Sequence, residues 1–338
     1  MRRLFIGSYT SDGRGRGAGV TVWDRDPASG ALRPAAAAVA VSEASYLAVH
    51  PALPVLYAVS ERTDGEVVAL ALEVDGRMRE LNRQPTGGAD PCHLAVDPAG
   101  RYLATANYTA GSLSVHPIGE DGALMPRTDL VRHIGGGPVA DRQEGPHVHM
   151  VRFTERHLLA VDLGNDTVRA YGLSARDGHL RPLHVTRLPP GTGPRHLAPG
   201  AGGLSYLVGE LSGTLSVLGT DTDGYLTDLG SIPLSGDPAA NLAAAIEVSP
   251  DGRYVYASNR GPDTISVFAV AGDALTQIAE VPSGGRGPRD ITLAGDHLYS
   301  ANELSDTVTV FHRDPSTGLL KQTTTVETPS PVCILPMP

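Results

Sequence analysis

His147, Glu210, Arg195 and Arg289 are the residues whose types and placement could do chemistry together. His147 stands in Arg142-Gln143-Glu144-Gly145-Pro146-His147-Val148-His149-Met150, a run that neither helix nor strand propensity explains. Shorter versions of that run recur as Pro91-Cys92-His93-Leu94, Gly193-Pro194-Arg195-His196-Leu197 and Gly287-Pro288-Arg289-Asp290-Ile291. Matched on their prolines, these runs put Cys92, His147, Arg195 and Arg289 at one repeated position. A histidine and a carboxylate can transfer protons, and two guanidiniums can bind an anion. The chemistry exists only if the fold gathers residues that lie far apart in sequence.

Internal repeats supply that fold. Ser249-Pro250-Asp251-Gly252-Arg253-Tyr254-Val255-Tyr256-Ala257-Ser258-Asn259 matches Asp97-Pro98-Ala99-Gly100-Arg101-Tyr102-Leu103-Ala104-Thr105-Ala106-Asn107. An alternating strand follows each: Leu113 to His116 after Asn107, and Ile265 to Phe268 after Asn259. Val308 to Phe311, Val168 to Tyr171 and Leu215 to Leu218 repeat it. Gly-bearing turns come next, such as Asp121-Gly122, Asp177-Gly178 and Asp223-Gly224. Asp-Gly between strand patterns is a strong hairpin signal, because a type I′ turn needs φ > 0.

Registered on one apolar position, the unit starts fall at Leu47, Leu94, His149, Leu197, Ile246, Ile291 and Ile334. The last start has no chain left to complete its unit, while Leu4 to Pro34 lacks a first strand. The C-terminus therefore completes the N-terminal unit and closes a ring, which removes exposed sheet edges. Four-strand repeats near 45 residues predict an all-β, seven-bladed β-propeller with antiparallel blades, a single domain over residues 1–338.

In such a blade the first strand lines the central channel, and its start lies beside the end of the second strand. Two rings then open at one channel mouth. The first contains Ser45, Cys92, His147, Arg195, Ala244, Arg289 and Val332. The second comprises the loop pairs Ser8-Tyr9, Ser60-Glu61, Asn107-Tyr108, Asp162-Leu163, Gly209-Glu210, Asn259-Arg260 and Asn302-Glu303. The expected catalytic group is His147, Glu210, Arg195 and Arg289. Arg142, His149, His93, Tyr108 and Asn302 are expected to bind substrate. On the same register His149 takes the apolar position and lines the channel, and His93 faces the packing between blades. Asn107, Asp162, Asn259 and Asn302 also fit ordinary turn chemistry. The extra residues between the third and fourth starts, Val131 to Arg142, read equally as a lid over the mouth or as a surface insertion.

Bulk composition narrows the classes. The net charge of −10 argues against nucleic-acid or membrane-surface partners, which need a basic face. An anionic ligand must be held by local Arg and His. Two cysteines, Cys92 and Cys333, make no disulfide scaffold or zinc spacing, and they fit a reducing cytoplasm. No apolar run approaches a membrane span. A monomer or weak homodimer is expected.

The chain resembles the seven-bladed propeller lactonases, the group holding propeller-type 6-phosphogluconolactonases and carboxymuconate-lactonizing enzymes. The likeness runs from Gly7-Ser8-Tyr9-Thr10 to Pro331-Val332-Cys333. It is most specific at Pro91 to Asp97, Ala106-Asn107-Tyr108, Arg142 to His149, Gly193 to His196, Gly209-Glu210-Leu211, Ser258 to Gly261 and Gly287 to Asp290. The resemblance implies a His, two Arg and a Glu at the mouth, matched by His147, Arg195, Arg289 and Glu210. Some members carry an acid before the sixth inner strand, where this chain has Ala243-Ala244-Ala245. The expected reaction is metal-independent and cofactor-free hydrolysis of a small anionic sugar-type lactone, with His147 or Glu210 as base. The alternatives are a cycloisomerase or lyase on a small carboxylate, and a non-catalytic propeller that binds a partner.

Overall fold

The computed structural model describes residues 2–74, 76–235 and 241–337. They form seven four-stranded antiparallel sheets, each in sequence order from inside out except at the closure. There Pro331–Pro336 forms the innermost strand of blade 1 and pairs with Arg2–Ser8, Ile334 opposite Ile6. Blades 2 to 7 begin with the inner strands Leu47–Val49, Pro91–Val96, Val148–Phe153, Pro194–Pro199, Leu242–Val248 and Pro288–Ala294. Neighbouring inner strands touch around a complete ring, the last against the first. The predicted seven-bladed propeller and its closure are both present.

The burial of the strands shows how the sheets stand edge-on to a common axis. The second strands Val55–Ser60, Tyr102–Asn107 and His297–Asn302 are buried along their whole length, because a blade lies on each face. The outer strand Ala274–Pro282 is mostly exposed. Seven apolar clusters fill the seven gaps between adjacent blades. Phe5, Val22, Leu47 and Leu56 join blades 1 and 2, for example, and Tyr206, Val208, Ile246 and Phe268 join blades 5 and 6.

A tyrosine latch recurs across these gaps. Tyr57, Tyr256 and Tyr299 each donate a hydroxyl hydrogen bond to a carbonyl in the next blade's hairpin: Gly122 (2.8 Å), Gly318 (2.9 Å) and Gly30 (2.9 Å). Each of those glycines has φ between +73° and +84°. A Cβ there would also strike the neighbouring blade, for instance Val55 from Gly122. Glycine is required on both counts.

The start of the inner strand is where the fold meets the chemistry. In blades 3, 4, 5, 6 and 7 the pairing to the second strand slips once, at a β-bulge. Pro91 pairs with Asn107 and His93 with Ala106, which leaves Cys92 unpaired. In the same way Pro194 and His196 bracket Arg195, and Pro288 and Asp290 bracket Arg289. A bulge re-aims the extra side chain, and here it turns that residue to the axis.

Blade 4 corrects the expected register. Val148 pairs with Asp162 and Met150 with Val161, so the bulged residue is His149 and the apolar position belongs to Val151. His147 lies one residue before the strand. The Gly145-Pro146 pair resembles Gly193-Pro194 but sits two residues earlier in its blade. Asp162 Oδ1 holds this earlier turn by accepting from the backbone N–H of His147 (2.8 Å) and of Gly164 (3.0 Å). The ring is therefore Ser45, Cys92, His149, Arg195, Ala244, Arg289 and Val332.

Candidate active site at the channel mouth

Six of those seven ring residues, all but Ala244, line one small cavity on the axis, with Glu61, Tyr46, His196 and Asp290. It holds about 10 Å3, roughly one water. Arg195 and Arg289 thus face a common space, as the repeats predict. Ala244 contributes its backbone, since Arg195 Nη1 donates to its carbonyl at 2.5 Å.

Glu210 is the hub on one side. Its carboxylate meets Arg142 Nη2 at 2.5 Å, Arg260 Nη2 at 2.8 Å and Arg195 Nε at 3.1 Å. Burial alone would raise its pKa, but Arg260, Arg195 and Arg142 outweigh burial and hold the carboxyl at about 2. Three guanidiniums against one carboxylate leave a local surplus of positive charge, although the chain as a whole is acidic. Burial, reinforced by Arg260, lowers the Arg195 pKa to about 10 despite Glu210.

His147 joins this cluster through Tyr108. Its ring stacks on Tyr108 with centroids 4.6 Å apart, and its Nδ1 lies 3.1 Å from the Tyr108 carbonyl. That contact fixes a proton on Nδ1, because a carbonyl only accepts. Nε2 lies 3.0 Å from Glu144, whose side chain is largely exposed. Arg142 Nη2 also donates to the Tyr108 hydroxyl at 3.3 Å. His147, Tyr108, Arg142, Glu210 and Arg195 therefore form one continuous network.

Arg289 sits across the cavity in a second network. Its Nη1 pairs with Glu303 at 3.4 Å and its guanidinium lies 5.1 Å from the Tyr9 ring centroid. The Tyr9 hydroxyl donates to Glu61 at 3.0 Å, and Arg14 pairs with the same carboxylate. Burial works against the Arg289 charge, but Tyr9, Glu303 and Glu61 more than offset it and raise its pKa. Glu61 also borders an open groove of about 1,020 Å3 that includes Arg14, Glu43 and Asp90.

The remaining expected residues divide. His149 faces the axial cavity, with Tyr108 edge-on at 5.6 Å. His93 lies deeper, stacked on Tyr46 at 3.8 Å and edge-on to His196 at 5.4 Å. Burial first, then nearby guanidiniums, push the pKa values of His93, His149 and His196 well down. Asn302 stands apart. It is fully buried within blade 7, where its amide donates to Thr309 (3.0 Å) and Thr307 (3.3 Å). Its place is the turn-locking role open to it from sequence.

The segment after Asp129–Arg132 is tied down at both ends. His133 is buried between Asp162 (2.5 Å) and the Tyr171 hydroxyl (2.8 Å). The Gln143 amide donates to the Leu163 carbonyl and to Asp166 Oδ1, both at 2.8 Å. These anchors place Arg142 and Glu144 against the site, at the end of the segment that reads as a lid or as a surface insertion. Arg260, Glu144, Glu61 and Tyr9 lie outside the expected set of site residues. Three of them are visible in sequence as members of the second ring.

The model of the family "Lactonase, 7-bladed beta-propeller" matches residues 3–336. A 6-phosphogluconolactonase of Bacillus subtilis is 34% identical, covering 98% of this chain and 97% of that protein. A crystal structure of a putative 6-phosphogluconolactonase from Bacteroides fragilis superposes with a TM-score of 0.93 at 32% identity, covering 100% and 98% of the two chains. A periplasmic gluconolactonase of Pseudomonas aeruginosa superposes with a TM-score of 0.92 at 31% identity, covering 100% and 99%.

Proposed function

We propose a reaction for a chain that belongs to the seven-bladed β-propeller lactonase family and is, with it, a lactone-hydrolysing enzyme: ring opening of a small anionic sugar-type lactone, of the 6-phosphogluconolactone kind, at the channel mouth. The observation that carries the reading is the arginine cluster around Glu210, whose member Arg195 faces Arg289 across the axial cavity.

Water attacks the lactone carbonyl while His147 Nε2 takes its proton. The new C–O bond places the carbonyl electrons on oxygen, and Arg195 stabilises that oxyanion. Collapse breaks the bond to the ring oxygen, which receives the proton back from His147. The product is an open hydroxy acid. Between the two candidate bases the assignment goes to His147, because three arginines keep Glu210 ionised and a weak base. Glu210 orients Arg195, Arg142 and Arg260. Arg289 with Arg142 holds the substrate's phosphate or carboxylate, as charge-assisted donors do. His147 reaches the water once Glu144 moves off Nε2. Two free, buried cysteines fit a cytoplasmic enzyme.

The test is lactone hydrolysis corrected for the spontaneous rate. His147→Ala lowers kcat about 10²–10⁴-fold and Arg195→Met about 10²–10³-fold. Undiminished hydrolysis by a folded variant lacking His147, Arg195 and Glu210 together would sink the reading.

A further inference from the structure

Below the mouth the channel continues to a second cavity at the other end. It holds about 270 Å3 and includes Tyr46, Arg152, His196, Glu247 and Asp290 among its walls. Tyr46, His196 and Asp290 also line the mouth cavity, so the two spaces share one partition. The floor opens sideways through Arg152, Leu197 and Pro199 into a groove of about 330 Å3 between blades 4 and 5.

Structure alone does not ask for charge here. The position three residues past the bulge is Ala48, Ala95, Arg152, Ala198, Glu247, Thr292 and Leu335 around the ring. Five blades use a small or apolar residue or a threonine, whereas blades 4 and 6 place a guanidinium and a carboxyl. Burial lowers the Arg152 pKa despite Tyr46 and Glu247, and its guanidinium makes no hydrogen bond or ion pair among the described residues. Arg152 is partly exposed at the cavity wall, and its unpartnered guanidinium is free to take an anion there.

We propose that this floor is a second binding site, for a small polyhydroxy carboxylate. Arg152 takes the carboxylate in its planar fork, while Glu247 and Asp290 hydrogen-bond hydroxyls. The volume is near the lower end of small-ligand pockets, which begin at about 300 Å3. Charge agrees with an anion. Burial raises Glu247 to about 8 and Asp290 to about 7, with Asp290 raising Glu247 further. Both shifts favour the neutral carboxyl, which weakens their repulsion of an anion beside Arg152 and lets a carboxyl donate an O–H when protonated. Polyhydroxy acids are also what opening a sugar lactone yields, but the floor assignment stands on its own residues and not on the reading of the mouth.

D-gluconate is the probe. Calorimetric titration of the full-length protein, with diffraction from crystals soaked in gluconate, separates the two ends of the channel. Expected are electron density between Arg152 and Glu247, and weakening of that site about tenfold to a hundredfold in Arg152→Met. Glu247→Gln, which keeps shape and hydrogen-bonding capacity, weakens it less. Hydrolysis rates at low gluconate stay at the parent value in both variants, whereas His147→Ala loses turnover and keeps floor binding. Gluconate density confined to the mouth, or an isotherm that Arg152→Met leaves unchanged, overturns the proposal. Should Arg152→Met fail to fold, the parent soak and Glu247→Gln still decide it.

Discussion

Glu210 shows how one side chain can set the charge of a whole site. Replacing it with Gln removes the anion but leaves Arg142, Arg195 and Arg260 crowded together and buried. Breaking a buried ion pair from one side costs about 3–5 kcal/mol, so Glu210→Gln should lower the unfolding free energy by that order at neutral pH, read as a fall in the urea midpoint. It should also misplace Arg195, so kcat falls along with stability. The acid limb follows from the same group. Its carboxyl lies at about 2 against an ordinary 4.5, so its stabilisation is complete above about pH 4.5 and is lost as pH falls toward 2. Glu247 behaves oppositely. Its pKa is raised from 4.5 to about 8, so the native state keeps a proton that the unfolded chain releases. That contribution is fully present below about pH 4.5 and declines as pH rises toward 8. Glu247→Gln should therefore flatten the fall in stability between those limits, measured as the urea midpoint against pH. A slope identical to the parent's would assign the decline to other groups.

At the level of elements, the side chains proposed for catalysis depend on how each inner strand begins, and the previous blade controls that. Asp166, Asp263 and Asp306 occupy the turn between the second and third strands of blades 4, 6 and 7, with φ of 53°, 57° and 57°. Each accepts a backbone N–H from the segment leading into the following inner strand: Gly193 (2.8 Å), Gly287 (2.7 Å) and Ser330 (2.8 Å). Gly193 and Gly287 stand two residues before Arg195 and Arg289, so Asp166 and Asp263 position the arginines without touching substrate. Asp263→Ala loses that acceptor and places a residue less tolerant of positive φ. The expected cost is about 1–3 kcal/mol, with a rise in KM larger than the fall in kcat if Arg289 holds the substrate anion as proposed. Asp263→Asn, which tolerates the conformation and retains an acceptor, should recover most of both. Equal losses in the two variants would contradict a positioning role. The Asp-Thr that opens each of these third strands is plain in sequence, yet its partner a blade away is not. The same limit explains what else can be read. Hydrophobic alternation and Gly turns make seven blades legible, and six of seven ring residues follow. The blade-4 register fails because Gly145-Pro146 imitates Gly193-Pro194, although a histidine at an apolar position is the warning. Arg260 stands in the second ring but escapes as a site residue because its long side chain reaches back to Glu210 in the preceding blade, a contact that spacing along the chain does not encode.

For the whole molecule, the ring is one cooperative object whose last strand is also part of both channel ends. Pro331–Pro336 covers the edge of Arg2–Ser8, with Leu4 opposite Pro336, Phe5 opposite Leu335 and Gly7 opposite Cys333. Val332 completes the wall of the mouth cavity. The Ile334 N–H donates to Asp290 at 2.7 Å, tying blade 1 to the partition between the two cavities. Ile334 also packs with Leu4, Ile6 and Tyr299 in the gap between blades 7 and 1. Ending the chain after Ser330 would therefore do three things at once. It would uncover a strand carrying the continuous apolar run Leu4-Phe5-Ile6, open the gap between blades 7 and 1, and free Asp290 from one of its backbone donors. Removing the ring's closure adds an apolar inner pairing edge to a structure whose edges are otherwise the outer strands of the blades. The expected outcome is loss of the soluble monodisperse species in size-exclusion chromatography, with aggregation growing with protein concentration. A circular permutant that begins at Pro331 and runs through a short linker into Arg2 keeps the same strand pairing. It should recover the parent's elution volume and its lactone hydrolysis, because closure depends on the strand's place in the sheet and not on its place in the chain. A soluble, active truncated chain would show that six complete blades and one of three strands suffice to hold the mouth, and that the C-terminal strand is dispensable for closure.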